Sequence, residues 1–303
     1  MKFSPQRSKI YLLLLLAGIL IVGIWHPRAL IFGLQRGSLY ALIALPLALV
    51  LGIMDILNLA HGELLTVGLY IGYVLAINLG VDPLVSIIPV FVALMLFGGV
   101  IYLISIKNVL GEGHLPQLLL TFGISLVLIE SINIIWTSRP RNVHVDYAGT
   151  SVEIGGITTG AYEFLYIFAA AAIFLLLRLF LKKTRLGQAV FAVGQNPKGA
   201  RIVGINVDFV YLFVFAISSG ILGLTSSLML PRVSIFPETG NPFALISFSL
   251  VAMAGMGSIN GILFAGISLG LAEAVVQAIP GYAGWSDIVF FGVLIVVIMV
   301  KNI

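Results

Sequence analysis

The chain has 303 residues, 60% hydrophobic and 9% charged, where an ordinary soluble domain carries about 25% charged residues. A soluble protein of this length has too little interior to hide so much apolar surface, so the sequence describes a polytopic membrane protein. Cysteine is absent and the formal charge is +4, which excludes disulfides, thiolate nucleophiles and thiol metal sites. The basic residues are spread over loops, as orientation in a membrane requires, and do not form a nucleic-acid patch.

At about 20 residues per helical span, the apolar runs predict roughly eight to ten transmembrane helices in a single domain, 1–303. Runs such as 10–22 and 164–177 lack the alternation of a transmembrane β-barrel, so the fold class is an all-α bundle. Spans are expected near 10–25, 33–53, 62–79, 84–105, 116–136, 162–181, 209–230, 243–257, 259–279 and 286–300. The segment 243–257 is short, and reads as a half-span or one arm of a re-entrant pair. Lys2, Arg7 and Lys9 precede the first apolar run, but Gly-Ile-Trp-His-Pro follows Val22 where a cleaved leader needs small residues. The first helix is therefore expected to be retained. Pro46 inside the second span implies a kink.

With ten spans and both termini inside, the cytoplasmic segments hold Lys2, Arg7, Lys9, Lys107, Lys182, Lys183, Arg185, Lys198, Arg201 and Lys301. The outer segments hold Arg28, Arg36, Arg139, Arg141 and Arg232, a ratio of ten to five that fits the positive-inside rule. The long loop 137–161 falls outside and is turn-rich, with a short hairpin expected around 151–158.

Four polar side chains interrupt the apolar sequence in DILNLAHGE (55–63). One reading is a broken helix at membrane depth, with Asn58, His61 and Glu63 lining a substrate path, because irregular backbone survives there only where it is buried or wet. The other is a turn that caps the next helix through Asn58. No HExxH pattern or second histidine cluster makes His61 and Glu63 a metal site. Glu130 and Asn133 lie one turn apart in the fifth span, as do Glu273 and Gln277 in the ninth. Each pair is a candidate for the path or for hydrogen bonding between helices. The pairs Gly33/Gly37, Gly68/Gly72, Gly257/Gly261 and Gly266/Gly270 signal close helix packing, and Ser218, Ser219, Gly220 and Gly223 read the same way.

The polar island 182–208 stands apart from its oily surroundings. Lys182, Lys183, Arg185, Lys198 and Arg201 against Asp208 give it a net charge of +4. Leu186, Ala189, Val190 and Val193 fall at i, i+3, i+4 and i+7, the stripe of an amphipathic helix. Asn196 reads as the N-cap and Pro197 as N1 of a second short helix stopped by Gly204. Two short helices with apolar faces on a basic loop suggest a docking surface for a soluble partner. There is no G-x-x-x-x-G-K-[ST] motif, so the chain is not expected to hydrolyse ATP itself.

Three stretches then occur in order: GSLYALIALPLALVLGIMDILNLAHGELLTVGLY (37–70), TRLGQAVFAVGQNPKGARIVGINVD (184–208) and GMGSINGILFAGISLGLAEA (255–274). From about Gly33 to Val300 the chain resembles the shorter of the two permeases in bacterial ABC importers of branched-chain amino acids. The resemblance implies an inner-membrane subunit without enzyme activity or cofactor of its own. Its partners would be a homologous second permease, two cytoplasmic ATPases that use the ATP, and a periplasmic binding protein. It also implies that Leu186, Gly187, Ala189, Val190, Val193, Asn196, Pro197, Ala200 and Gly204 belong to the ATPase-coupling segment. Urea or short amides are the alternative cargo. A different alternative is an ion-coupled transporter using Glu130, Glu273 or Asp55, and a third is a membrane enzyme acting on lipid.

Overall fold

The structure, a computed structural model, describes residues 26–279 except Met256, together with Gly281, 283–285, Gly292 and Ile295. The expected first span, 10–25, and nearly all of the last, 286–300, lie outside the described residues. Ten α-helices and one hairpin are found among the described residues. The helices are α1 (Pro27–Met54), α2 (His61–Leu79), α3 (Ile87–Ile104), α4 (His114–Trp136), α5 (Phe164–Lys183), α6 (Arg185–Gln195), α7 (Pro197–Ile202), α8 (Val207–Met229), α9 (Asn241–Ala254) and α10 (Ile259–Ala278). The strands β1 (Ser151–Ile154) and β2 (Ile157–Gly160) pair antiparallel through a Gly155-Gly156 turn, close to the expected 151–158. Seven of the helices are long and apolar enough to cross a membrane.

Helix α1 starts six residues before the expected boundary, because Pro27 enters at the first turn, where a missing N–H costs nothing. It runs on through Pro46, whose ring leaves the Leu42 carbonyl without its usual donor. α1 is the axis of the bundle: α10, α9, α5 and α8 all pack on it. Its seam with α10 is the tightest. A Cβ on Gly37 would lie 2.6 Å from the Gly266 carbonyl, and one on Gly266 would lie 2.7 Å from the Gly37 carbonyl. Only backbones without side chains approach so closely. A second layer joins α3 to α8, where Gly98 meets Ser219, and Gly220 meets Phe91 and Met95, as the small-residue pattern predicts.

The bundle has two distinct ends. At one, α6 and α7 sit beneath the end of α1, with Gly194 beside Gly52 and Ile53. At the other, Gln35 of α1 donates to the Gly160 carbonyl at 3.3 Å. Arg141 and Ile235 exchange backbone hydrogen bonds of 2.9 and 2.8 Å there, and Arg232 pairs with Glu163. The hydroxyl of Tyr147 donates to Asp82 at 2.8 Å. Burial, followed by that carboxylate, holds the phenol well above its ordinary pKa, so this contact stays protonated at physiological pH.

Candidate functional site

The polar segment after α1 is a broken helix, and it climbs back into the bundle. Asp55 ends α1 in the left-handed region, φ 56°, and five residues lead from it to His61. The His61 Nε2 atom lies 2.9 Å from the Ile43 carbonyl. Ile43 precedes Met54 by eleven residues, so α2 begins about 16 Å up α1 at 1.5 Å per residue. Asn58 accepts from the Ala60 N–H at 3.1 Å, turning the chain just ahead of α2. Of the alternatives left open by the sequence, the turn lies at depth, and the capping reading is not found: Ala60 holds the N-cap position of α2 without a side-chain cap, and Asn58 braces only the turn ahead of it. Asn58, His61 and Glu63 are 3%, 2% and 3% exposed, sealed inside the chain and not open to a cavity.

A second helix start meets the first. The chain from Ile235 descends from the hairpin end to Gly240, where α9 begins. A Cβ on Gly62 would stand 2.5 Å from the Gly240 carbonyl, so the N-termini of α2 and α9 touch at this depth. The 14 residues of α9 extend about 21 Å, short of a full span, and reach only the α6 end, where Gly257 abuts Gly52. The half-span reading of 243–257 is therefore the one found, shifted to 241–254.

The broken segment is held by α4 through residues that sequence reasoning missed. The Thr121 hydroxyl accepts from the Leu59 N–H at 3.2 Å and lies 3.1 Å from the Leu57 carbonyl. Gln117, Thr121 and Ser125 are all buried, and Ser125 hydrogen-bonds Glu63. Their i, i+4, i+8 spacing was legible as one polar stripe on an apolar helix. One oxygen of Glu63, Oε2, is left without a partner. Its place in the first turn of α2 offsets part of that cost through the helix dipole.

Glu130 lies on the other side of α4. It is exposed, Asn133 is half-buried, and Glu130 makes no hydrogen bond or ion pair among the described residues. At about 2.5–3.5 kcal/mol for an ionised group within a membrane helix, this face fits water or protein better than lipid.

Glu273 and Gln277 sit at the α10–α1 seam, toward the hairpin end. Glu273 pairs with Arg36 of α1, accepts from the Tyr40 hydroxyl at 2.8 Å and accepts from Gln277 Nε2 at 3.2 Å. Arg36 was placed by the sequence only as a loop cation. Its partner is 237 residues away, beyond any pattern of local spacing.

The loop 182–208 forms the two predicted helices, the second with its predicted caps and the first with a Thr184 cap not singled out from the sequence. Thr184 and Asn196 accept from Gly187 N–H and Gly199 N–H, each at 2.9 Å, and Gly204 stops the second with φ +84°. The apolar stripe, expected to offer the docking face, is turned inward instead. Val190 and Val193 are 2% and 0% exposed, Gly187 and Ala200 are buried, and Leu186 and Ala189 are half-buried. Burying such a stripe against α1 and the neighbouring helices is worth about 1.5–3 kcal/mol per valine, and that gain is available without a partner. The outward surface carries different residues: Phe191, Ile202 and Val203, 62%, 86% and 75% exposed, beside Asn196, Pro197 and Gly204.

Comparison with known proteins agrees with this architecture. The chain is 27% identical over 289 residues to the high-affinity branched-chain amino acid transport system permease protein BraD of Pseudomonas aeruginosa, covering 91% of this chain and 94% of that protein. It is 27% identical to LivH, the corresponding permease of Escherichia coli, over 88% and 91% of the two chains. It is 24% identical to the ribose import permease protein RbsC of Haemophilus influenzae, over 98% and 93%. No solved structure matches. The family model described as branched-chain amino acid transport system, permease component, covers residues 29–298, and this multi-pass membrane protein belongs to that family of ABC-transporter permeases.

Proposed function

We propose that this chain is the permease subunit of a bacterial inner-membrane ABC importer, moving a branched-chain or closely related amino acid inward. It pairs with a homologous second permease, receives cargo from a periplasmic binding protein and is driven by two ATPase subunits. The end that carries α6 and α7 is cytoplasmic, because Lys107, Lys182, Lys183, Arg185, Lys198 and Arg201 gather there. The observation that carries the reading is the outward surface of α6 and α7. A short capped helix pair is anchored to the bundle by one apolar face while Phe191, Ile202 and Val203 remain exposed among cations. Helices that present apolar anchors outside a membrane suit a groove on a soluble partner.

Glu130 and Asn133 are proposed to line the path between the two permeases, where a carboxylate is hydrated and open to an ammonium group. Asn58, His61 and Glu63 position the broken segment from within. In proteoliposomes holding the whole complex, Phe191→Asp with Ile202→Asp should leave the permease pair intact and abolish ATPase co-purification and ATP-dependent leucine uptake. Undiminished co-purification would overturn the docking assignment. Uptake by the isolated chain on a proton gradient would overturn the ABC reading.

A further inference from the structure

The outer halves of α2, α3 and α4 do not close on one another. Between them lies a groove of about 410 Å³ lined by Val67, Val74, Phe97, Leu128 and Ile132, with Tyr70 and Trp136 towards the hairpin end. Protein interiors leave few voids larger than a water molecule, so a space of this size is occupied. Water is a poor occupant, because a buried water needs two to four polar partners. The groove offers the Tyr70 hydroxyl, while Ser131 already donates to the Val127 carbonyl at 2.6 Å. The surrounding helix surfaces are apolar and outward-facing, as at Leu96, Val100, Val127 and Ile135, so the groove is continuous with a lipid-facing exterior. Glu130, placed above on the proposed path, sits two residues from Leu128 and so about 200° around α4; the groove is separate from that path.

The hairpin end of the groove has the chemistry of a membrane interface. Trp136 lies against Tyr70 with ring centroids 4.8 Å apart, and Arg141 stands 5.5 Å over the Tyr73 ring. The Arg141 guanidinium donates to the Tyr73 hydroxyl at 3.2 Å and to the Trp136 carbonyl at 2.6 Å. It has no carboxylate partner among the described residues. Each of its terminal nitrogens has a second N–H, and planar guanidinium is suited to phosphate. Aromatic rings with an arginine above an apolar slot match a phospholipid from head to tail.

We propose that this groove is a binding site for one phospholipid of the outer leaflet, with an acyl chain between α2, α3 and α4 and its phosphate at Arg141. The assembled complex, exchanged into lipid-free detergent, should retain about one phospholipid per copy of this chain in native mass spectrometry. Val74→Phe, which fills the groove, should lower that occupancy at least tenfold, and Arg141→Gln should lower it several-fold. As a second readout, the protein carrying Trp25→Phe and Trp285→Phe reports on Trp136 alone. Its fluorescence in vesicles of chain-brominated phosphatidylcholine should be quenched at least twofold, and adding Val74→Phe should relieve most of that quenching. Unchanged lipid retention in Val74→Phe would overturn the site. So would unquenched Trp136 in the parent, or efficient crosslinking of Ile135→Cys to the second permease, since protein would then cover the groove.

Discussion

Helices α10 and α4, of 20 and 23 residues, are similar in composition but are held to the bundle by opposite means. α10 meets α1 backbone to backbone through Gly33, Gly37, Gly266 and Gly270, and its one carboxylate, the half-buried Glu273, is tied to α1 by an arginine and a tyrosine. α4 touches the bundle along a narrow stripe, hydroxyls and an amide below and Leu128 and Ile132 above, with an open groove beside its upper half. Lipid tails are as apolar as leucine, so apolar area alone does not hold helices together in a membrane. Close contact and hydrogen bonds do. The α1–α10 seam has close contact over its length and hydrogen bonds at its Glu273 end, which makes it a rigid frame. α4 is pinned by hydrogen bonds at Thr121, and its other half is held by Leu128, Ile132 and the ring of Trp136 beside the groove.

The largest expected effect is at the seam. Gly37→Leu puts a side chain into the Gly266 backbone and should leave no folded protein in size-exclusion chromatography. A stable, monodisperse Gly37→Leu protein would mean that the frame lies elsewhere. Val190→Asp comes next, since it buries a charge under the end of α1, where burial without a partner costs several kcal/mol. It should cut the yield of permease itself, in contrast to the exposed Phe191 position. Thr121→Val removes the pin while keeping the shape and leaves the Leu59 N–H without its side-chain acceptor. A cost of about 1–3 kcal/mol is expected, read as a lower melting temperature. The smallest effect is at Glu273→Gln, which keeps an acceptor for Tyr40 and loses a half-exposed ion pair worth about 0–1 kcal/mol. Melting temperature and uptake should both stay near the parent values, and a stable but inactive protein would assign Glu273 to the path.

The parts of this architecture that were legible in the sequence are those determined within a few residues. The caps at Asn196 and Gly204, the hairpin turn at Gly155-Gly156 and the glycine spacing of α1 and α10 all express local geometry. The half-span at 241–254 was visible as a run too short to cross. The direction in which an amphipathic stripe points was not legible. Leu186, Ala189, Val190 and Val193 state that one face of α6 is apolar, but the periodicity is the same whether that face meets α1 or a partner. Glu130 and Asn133 drew attention as the polar pair on α4, while Thr121 and Ser125, single hydroxyls one turn apart, make the contacts. Arg36 with Glu273 needed the fold itself, since only the crossing of α1 and α10 brings the two together.

The shortness of α9 bears on how the protein is made. A helix of about 21 Å that starts against Gly62 has its N-terminal amides and the descending residues 233–240 at a depth where lipid supplies no hydrogen bonds. This segment therefore has no stable place in a bare bilayer and must enter after α1 and α2 have formed the wall it leans on. Biogenesis has an order that synthesis respects, with α1 and α2 emitted by the ribosome before the half-span α9, and α10 closing on α1 afterwards. A circular permutant that delivers 230–254 ahead of α1 should stall at insertion, even though its finished contacts would be the same.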